Sequence, residues 1–318
     1  MNFWRSLSSQ FKPFLVLAPM EGVTDWVFRE IIAGAAKPDV LFTEFTNVDA
    51  LLSKGYEKTI PRFRYSEKER PIVAQIWGVE PKSFFQVAKM VKALGFDGID
   101  INMGCPVRAV LKMGAGACHI NNSELAGKII QATKEGAGGI PVSVKTRIGV
   151  HKIVTDEWIQ FLLEQKIDAL TIHGRTAKEL SKVPAHWDEI GKAVKIRNRV
   201  APQTAIIGNG DIVNLDQAKE AHATHGVDGA MIGKGVFHNP WVFERSPRLH
   251  TTKEFLEVLL LHTKLYTDTY PGERRFAPMK KYFKIYVRAF SGANALLVAL
   301  METKNFSEVE QLVAPYMV

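Results

Sequence analysis

The sequence predicts an α/β protein: a (β/α)8 barrel followed by a small C-terminal helical domain. Three observations carry that prediction. Short apolar, β-branched runs recur eight times between Leu15 and Ile232, most of them followed by a polar turn and a longer helical pattern. No G-x-G-x-x-G turn follows the first run, which separates the pattern from an open dinucleotide-binding sheet with the same cadence. From Phe243 onward the alternation stops and only helical patterns remain.

In chain order the predicted strands are Leu15–Met20, Val40–Phe45, Ile72–Trp77, Gly98–Met103, Val142–Thr146, Leu170–His173, Ala205–Gly208 and Gly229–Ile232. Helical periodicity fills Ser83–Leu94, Ser123–Lys134, Asp156–Gln165 and Leu215–Thr224 between them. Eight such units match the size of one barrel, so residues 1–242 are assigned to it and 243–318 to the helical domain. In the latter, Phe255–Tyr266 reads as a strongly apolar helix that Pro271-Gly272 ends. Met279–Phe290 reads as another, with Phe283, Tyr286, Val287 and Phe290 on its buried face and Lys281, Lys284 and Arg288 on a neighbouring one. Ala293–Met301 and Ser307–Val313 complete the domain.

Composition narrows the function classes. At 46% hydrophobic and 23% charged residues, the 318-residue chain can bury a large core and is not a disordered polymer. Two cysteines exclude a disulfide framework and a four-cysteine zinc site, and a reducing compartment is expected. Met1–Pro13 lacks the apolar stretch of a secretory signal, and no uninterrupted apolar run could span a membrane. A cytoplasmic protein is therefore expected. Lys and Arg number 41 against 33 Asp and Glu, a net charge of +8 that points to a polyanionic partner without specifying chemistry.

The chemistry is legible in where polar residues fall. The runs end in Pro19-Met20-Glu21, Glu44, Gln75, Asn102 with Cys105, Lys145 with Arg147, His173 with Arg175, Asn209 with Asp211, and Gly233-Lys234. In a barrel the C-terminal ends of all strands converge on one mouth, so these residues would share a pocket. Gly208-Asn209-Gly210-Asp211 and Gly233-Lys234-Gly235, on consecutive strands, occupy the usual phosphate-binding position. Lys145 could form a Schiff base or hold negative charge developing on a ring. Gln75 and Asn102 can both donate and accept, as the edge of a flavin or a pyrimidine requires. His173 could be a base, a phosphate ligand or a packed strand-end histidine. Cys105, pinned by Gly104 and Pro106, could be a nucleophile or a general acid, whereas Cys118 reads as a buried structural thiol.

Leu17-Ala18-Pro19-Met20-Glu21-Gly22-Val23-Thr24-Asp25, Asp100-Ile101-Asn102-Met103-Gly104-Cys105-Pro106, Val144-Lys145-Thr146-Arg147-Ile148-Gly149, Ile172-His173-Gly174-Arg175-Thr176 and Asn209-Gly210-Asp211-Ile212 together resemble the tRNA-dihydrouridine synthase family. The resemblance runs in order from about Val16 to Phe290, and Met279–Tyr286 is similar to that family's helical tRNA-gripping domain. It implies FMN-dependent reduction of selected tRNA uridines to 5,6-dihydrouridine with NADPH as electron donor: hydride from FMN N5 to uracil C6, and a proton from Cys105 to C5. It further implies that Pro19, Met20 and Glu21 line the flavin, that Gln75 bonds its edge, and that Lys145 faces N1/O2. By the same resemblance His173 lies beside the ring, and Asn209, Gly210, Asp211, Gly233 and Lys234 hold the phosphate. Asn102, Arg147 and Arg175 would meet the target base, and Lys281, Lys284 and Arg288 the tRNA backbone. The phosphate loop carries Lys234 where the family more often has arginine, and Ala177–Trp187 lacks the family's aromatic-glycine element. A monomer without an obligatory protein partner is expected.

Two rival expectations remain. A free-pyrimidine flavoenzyme resembling dihydroorotate dehydrogenase would share barrel and flavin but would not need the basic helix Lys280–Arg288. A non-catalytic tRNA-binding chaperone would not need Gln75, Cys105, Lys145 and His173 together.

Overall fold

The computed structural model describes residues 2–317, leaving the side chains of Glu273 and Arg274 undescribed. The charge that Arg274 adds to the basic surplus, and that Glu273 offsets, therefore lies outside the described side chains.

Nine parallel strands lie in the order β1-β9-β8-β7-β6-β5-β4-β2, with β3 also on β4. They are β1 Phe14–Leu17, β2 Leu41–Phe42, β3 Thr46–Asn47, β4 Ile72–Trp77, β5 Gly98–Met103, β6 Val142–Arg147, β7 Ala169–His173, β8 Ala205–Asn209 and β9 Gly229–Ile232. A parallel bridge between Val16 and Val40 joins the two ends of that order and closes the barrel. The second predicted run, Val40–Phe45, is not one strand. β2 pairs Phe42 with Val73 and β3 pairs Thr46 with Ile76, so one extra residue is accommodated between them. Such a bulge bends the strand and re-aims a side chain. Here the re-aimed one is Glu44, whose carboxylate accepts the Gly22 N–H at 2.5 Å.

Alternation along the strands sorts two apolar layers. Leu15, Leu17, Ile99, Ile101, Val144, Leu170, Ile172, Ile206 and Ile232 pack outward against the helices. Phe14, Val16, Phe42, Val73, Ala169, Ala205, Ile207 and Met231 fill the interior around Trp4. Trp4 comes from the first helix, Phe3–Gln10, and is 1% exposed. The N-terminal segment, read from the sequence only as lacking a signal, is thus the plug of the barrel floor. At Gly229 an added Cβ would lie 2.4 Å from the Phe14 ring, so only glycine lets that ring complete the floor.

Four aspartates stitch the floor in a repeating way. Asp39, Asp97, Asp168 and Asp228 accept the backbone N–H of Leu15, Ile72, Val142 and Ile206, respectively, at 2.6–2.8 Å. Each carboxylate also takes a side-chain donor: Arg245, Arg70, Asn2 and Arg197. Each of these N–H groups sits on the first or second residue of its strand, and a carboxylate just before the neighbouring strand satisfies it.

The long helix Thr252–Thr269 opens with a capping box between Thr251 and Glu254. It packs on both the helix Trp26–Ala35 and the last helix, Phe306–Val313. The apolar cluster of the barrel's outer layer runs unbroken into Leu256, Leu259, Tyr282, Phe283 and Val309. Phe28 of the barrel stacks on Tyr282 at 5.1 Å.

The expected helix Met279–Phe290 is not continuous. Ala277–Tyr282 is a 3-10 turn, Phe283–Tyr286 a single α turn, and Val287 is extended. Pro278 sits at the first positions of the 3-10 turn, where its missing N–H does no harm. Phe283, Tyr286 and Val287 are buried as the periodicity requires, but Phe290 is only half-buried. Among the described residues, no helix is long and apolar enough to cross a membrane.

Candidate active site

The C-terminal ends of the strands enclose a cavity of about 560 Å3. Pro19, Met20 and Glu21 reach it from the loop after β1, Asn102 and Cys105 from β5, and Lys145 and Arg147 from β6. His173 and Arg175 come from β7, Asn209, Gly210 and Asp211 from β8, and Gly233 and Lys234 from β9. Strand register sets them side by side: Asn102 pairs with Lys145, Arg147 with His173, and His173 with Asn209.

Burial and charge shape each group. The Cys105 side chain is 8% exposed, and burial pushes its thiol up, against the pull of the Val107 N–H and of Arg147. It is therefore a neutral S–H at pH 7, able to give a proton. Burial, and then the nearby Arg147, push Lys145 down to about 8, while Asp100 opposes the shift. Its ammonium donates to Asn209 Oδ1 at 3.1 Å, and the Asn209 amide in turn donates to the Met231 carbonyl at 2.9 Å. His173 is pushed down to about 2, by burial first and then by Arg147, Lys145, Arg175 and Lys234. It is a neutral imidazole. Since guanidinium can only donate, the Arg175 Nη1 contact at 3.2 Å makes Nε2 the acceptor and puts the ring proton on Nδ1.

Several expected roles change. Gln75 is fully buried beneath the mouth, donating to Asp100 at 2.7 Å and accepting from Asn102 at 3.0 Å. It is absent from the cavity wall, and its amide is bonded to Asp100 and Asn102. The Asp211 carboxylate accepts Arg175 Nη2 at 2.5 Å and the Ala185 N–H at 2.8 Å. That carboxylate is thus spent on Arg175 and the Ala185 N–H. Asn209 likewise spends its amide on Lys145 and Met231. Arg147, at the end of β6, ties the loops after β5 and β7 together through the Gly104, Thr176 and Leu180 carbonyls. Glu21 is clamped by Arg62 at 2.6 and 2.8 Å. Cys118 is half-buried rather than buried, its thiol on the Leu111 carbonyl.

A larger cleft of about 900 Å3 adjoins the mouth, His238 lining both. Lys281, Lys284 and Arg288 share its wall with Phe237, Ile285 and Phe290. The Lys281 ammonium also bonds the Gly22 carbonyl, and the Tyr282 hydroxyl donates to the Val23 carbonyl at 2.7 Å. The helical region therefore grips the β1 loop that carries Pro19–Glu21.

Residues 16–315 match the dihydrouridine synthase family. The chain belongs to that family. It is 46% identical over 314 residues to a probable tRNA-dihydrouridine synthase of Staphylococcus aureus strain COL, covering 98% of this chain and 94% of that one. It is equally 46% identical over 315 residues to a probable tRNA-dihydrouridine synthase 2 of Bacillus subtilis strain 168, covering 98% and 95%. Among solved structures, a morphinone reductase variant in complex with tetrahydroNAD shares the fold at a TM-score of 0.53 and 12% identity, covering 76% and 88%. The old yellow enzyme homologue of Zymomonas mobilis does so at 0.51 and 14%, covering 74% and 89%.

The donor set of this family member fits a phosphorylated flavin. Lys234 is exposed and has no ion-pair partner among the described residues. An added Cβ at Gly233 would make only ordinary contacts, with Ala18 and Met20 at 3.6 and 3.7 Å, so the turn after β9 runs beside the loop after β1. Gly210, at φ +133, holds a backbone that a side chain would strain. Ala18, Pro19, Met20 and Met231 give an apolar wall, with Lys145 and His173 among the polar residues that line it. Sequence reading missed Asp100, His238 and the Glu21–Arg62 pair. Asp100 alone carried a signal: it shares a strand face with Asn102, two residues on.

Proposed function

We propose that this chain reduces selected uridines of tRNA to 5,6-dihydrouridine, with FMN as resident cofactor and NADPH as electron donor. Pro19, Met20, Lys145, His173, Gly210, Gly233 and Lys234 would hold FMN, which when bound supplies the hydride added at uracil C6. Cys105 supplies the proton added at C5. Its thiol stays protonated through burial, and Arg147, Lys145 and the Val107 N–H stabilise the thiolate left behind. The Asn102 amide has one N–H committed to Gln75 and a second free for a uracil carbonyl. A target base must leave its stack to enter such a mouth.

The convergence of Cys105, Asn102, Lys145 and His173 on one cavity supports this reading most directly. The adjoining cleft with Lys281, Lys284 and Arg288 favours a polyanionic substrate over a free pyrimidine. Residues 1–242 would carry catalysis and 243–318 the RNA contact, in a cytoplasmic monomer. The test is dihydrouridine formation in purified tRNA by the yellow, FMN-loaded protein. A colourless protein, or turnover of orotate but not tRNA, overturns the proposal.

A further inference from the structure

The barrel interior contains a buried acid that the proposed chemistry does not use. Asp100 is fully buried on β5, with no ion-pair partner in contact among the described residues. Burying a carboxyl in this way is costly, and an apolar side chain would pack there more cheaply. What it does instead is terminate a chain of hydrogen bonds. The Ser143 hydroxyl donates to Asp100 Oδ1 at 2.6 Å, and Gln75 Nε2 donates to Oδ2 at 2.7 Å. Gln75 Oε1 accepts from Asn102 Nδ2 at 3.0 Å. Asn102 Oδ1 accepts the N–H groups of Gly104 at 3.2 Å and Cys105 at 2.9 Å.

The two ends of this chain make its orientation unambiguous. The Gly104 and Cys105 N–H groups can only donate, so the Asn102 oxygen must face them. Its nitrogen then faces Gln75, whose oxygen accepts and whose nitrogen must find an acceptor. A carboxylate is the side chain of that size that accepts at both ends.

We propose that Asp100 is a positioning residue: through Gln75 and Asn102 it fixes the Asn102 amide towards the substrate and holds the Cys105 loop in place. This rests on the reading of Cys105 as proton donor, but one readout is independent of it. Asp100→Leu removes the terminal acceptor. Asp100→Asn keeps one, presenting its oxygen to Gln75 and its nitrogen to Ser143, whose hydroxyl can turn to the Ile99 carbonyl. Burial pushes Asp100 up to about 6, with Ser143, Gln75 and Lys145 opposing. A protonated Asp100 still leaves one oxygen accepting, which is the state Asp100→Asn imitates.

The FMN-loaded protein and both variants are treated with iodoacetamide, and the labelling of Cys105 and Cys118 is followed separately by peptide mass spectrometry. NADPH oxidation and dihydrouridine formation are measured alongside. In Asp100→Leu, Cys105 should label about tenfold faster with Cys118 unchanged. Dihydrouridine formation should fall by about a hundredfold, as a displacement near 1 Å produces, while NADPH oxidation stays within about threefold. Asp100→Asn should stay close to wild type in every readout. Should Asp100→Leu not fold, Gln75→Met cuts the same chain one link further on and is held to the same expectation. Equal acceleration of both thiols, equal loss of both half-reactions, or an Asp100→Asn as impaired as Asp100→Leu overturns the proposal. A wild-type protein inactive on tRNA with the thiol pattern intact would overturn the functional reading and leave the positioning claim standing.

Discussion

Arg175 holds Asp211 with one nitrogen, Nη2 lying 2.5 Å from both carboxylate oxygens, while its Nη1 meets His173 at 3.2 Å. The pair places a nearly buried cation beside the proposed phosphate loop and offsets an anion that would repel a phosphate there. Removing Arg175 alone leaves that anion uncompensated. Arg175→Ala should weaken FMN binding by about tenfold or more, and adding Asp211→Asn should recover part of the loss. Flavin fluorescence titration of both single variants and the double variant checks this.

Cys105→Ala removes the neutral thiol and little else. The variant should bind FMN and oxidise NADPH normally yet lose about 10²- to 10⁴-fold in dihydrouridine formation, the range for a missing general acid. Product formation at the wild-type rate would exclude Cys105 from that role.

Lys145 sets a pH limit. Its pKa is pushed down to about 8 by burial, so the ammonium is present below that pH and lost as pH rises through it. A step that uses this charge should slow above pH 8, or somewhat higher once a bound anion favours the charged form. The rate of FMN reduction by NADPH between pH 6 and 10 reports it. Lys145→Arg, which stays charged, should lack that basic limb.

Lys281, Lys284 and Arg288 are not equivalent, although all three line one cleft. Replacing them together should weaken tRNA binding and lower the slope of log K against log salt by about 2–3, close to one unit per lost phosphate contact. Lys281 also straps the Gly22 carbonyl. Lys281→Ala should therefore disturb FMN binding as well, whereas Lys284→Ala should affect tRNA alone. Filter binding at several salt concentrations, with flavin titration alongside, separates the two.

Trp4 is the barrel's floor, packed against Phe14 and Phe42 with ring centroids at 6.0 and 6.3 Å. Trp4→Ala should cost about 3–5 kcal/mol of stability, the range for a fully buried aromatic. The urea midpoint should fall, with no first effect on the mouth at the opposite end.

Strand ends were legible because alternation is local: Gln75, Asn102, Lys145 and His173 each follow apolar neighbours that mark which face is inward. The two layers of the core, inside and outside the barrel, follow from the same period of two. Legibility failed where partners are distant in sequence. Asp211 reads as a phosphate ligand until Arg175 is seen against it, and Gln75 reads as a pocket residue until Asp100 and Asn102 are seen on either side. The Met279–Phe290 pattern is satisfied equally by one helix or by two short turns around the same apolar cluster, and periodicity alone does not choose between them.

The sequence by itself determined the barrel, the family and the residue types at the mouth. Those depend on periodicity and on motifs a few residues long. Only the tertiary structure decided which polar atoms are spent and which remain free, because hydrogen bonds and ion pairs are shared between strands far apart in the chain. It left Cys105 a neutral thiol, Lys234 without an ion-pair partner among the described residues, and Asp100 the buried end of a chain that leads to both Asn102 and the Cys105 loop.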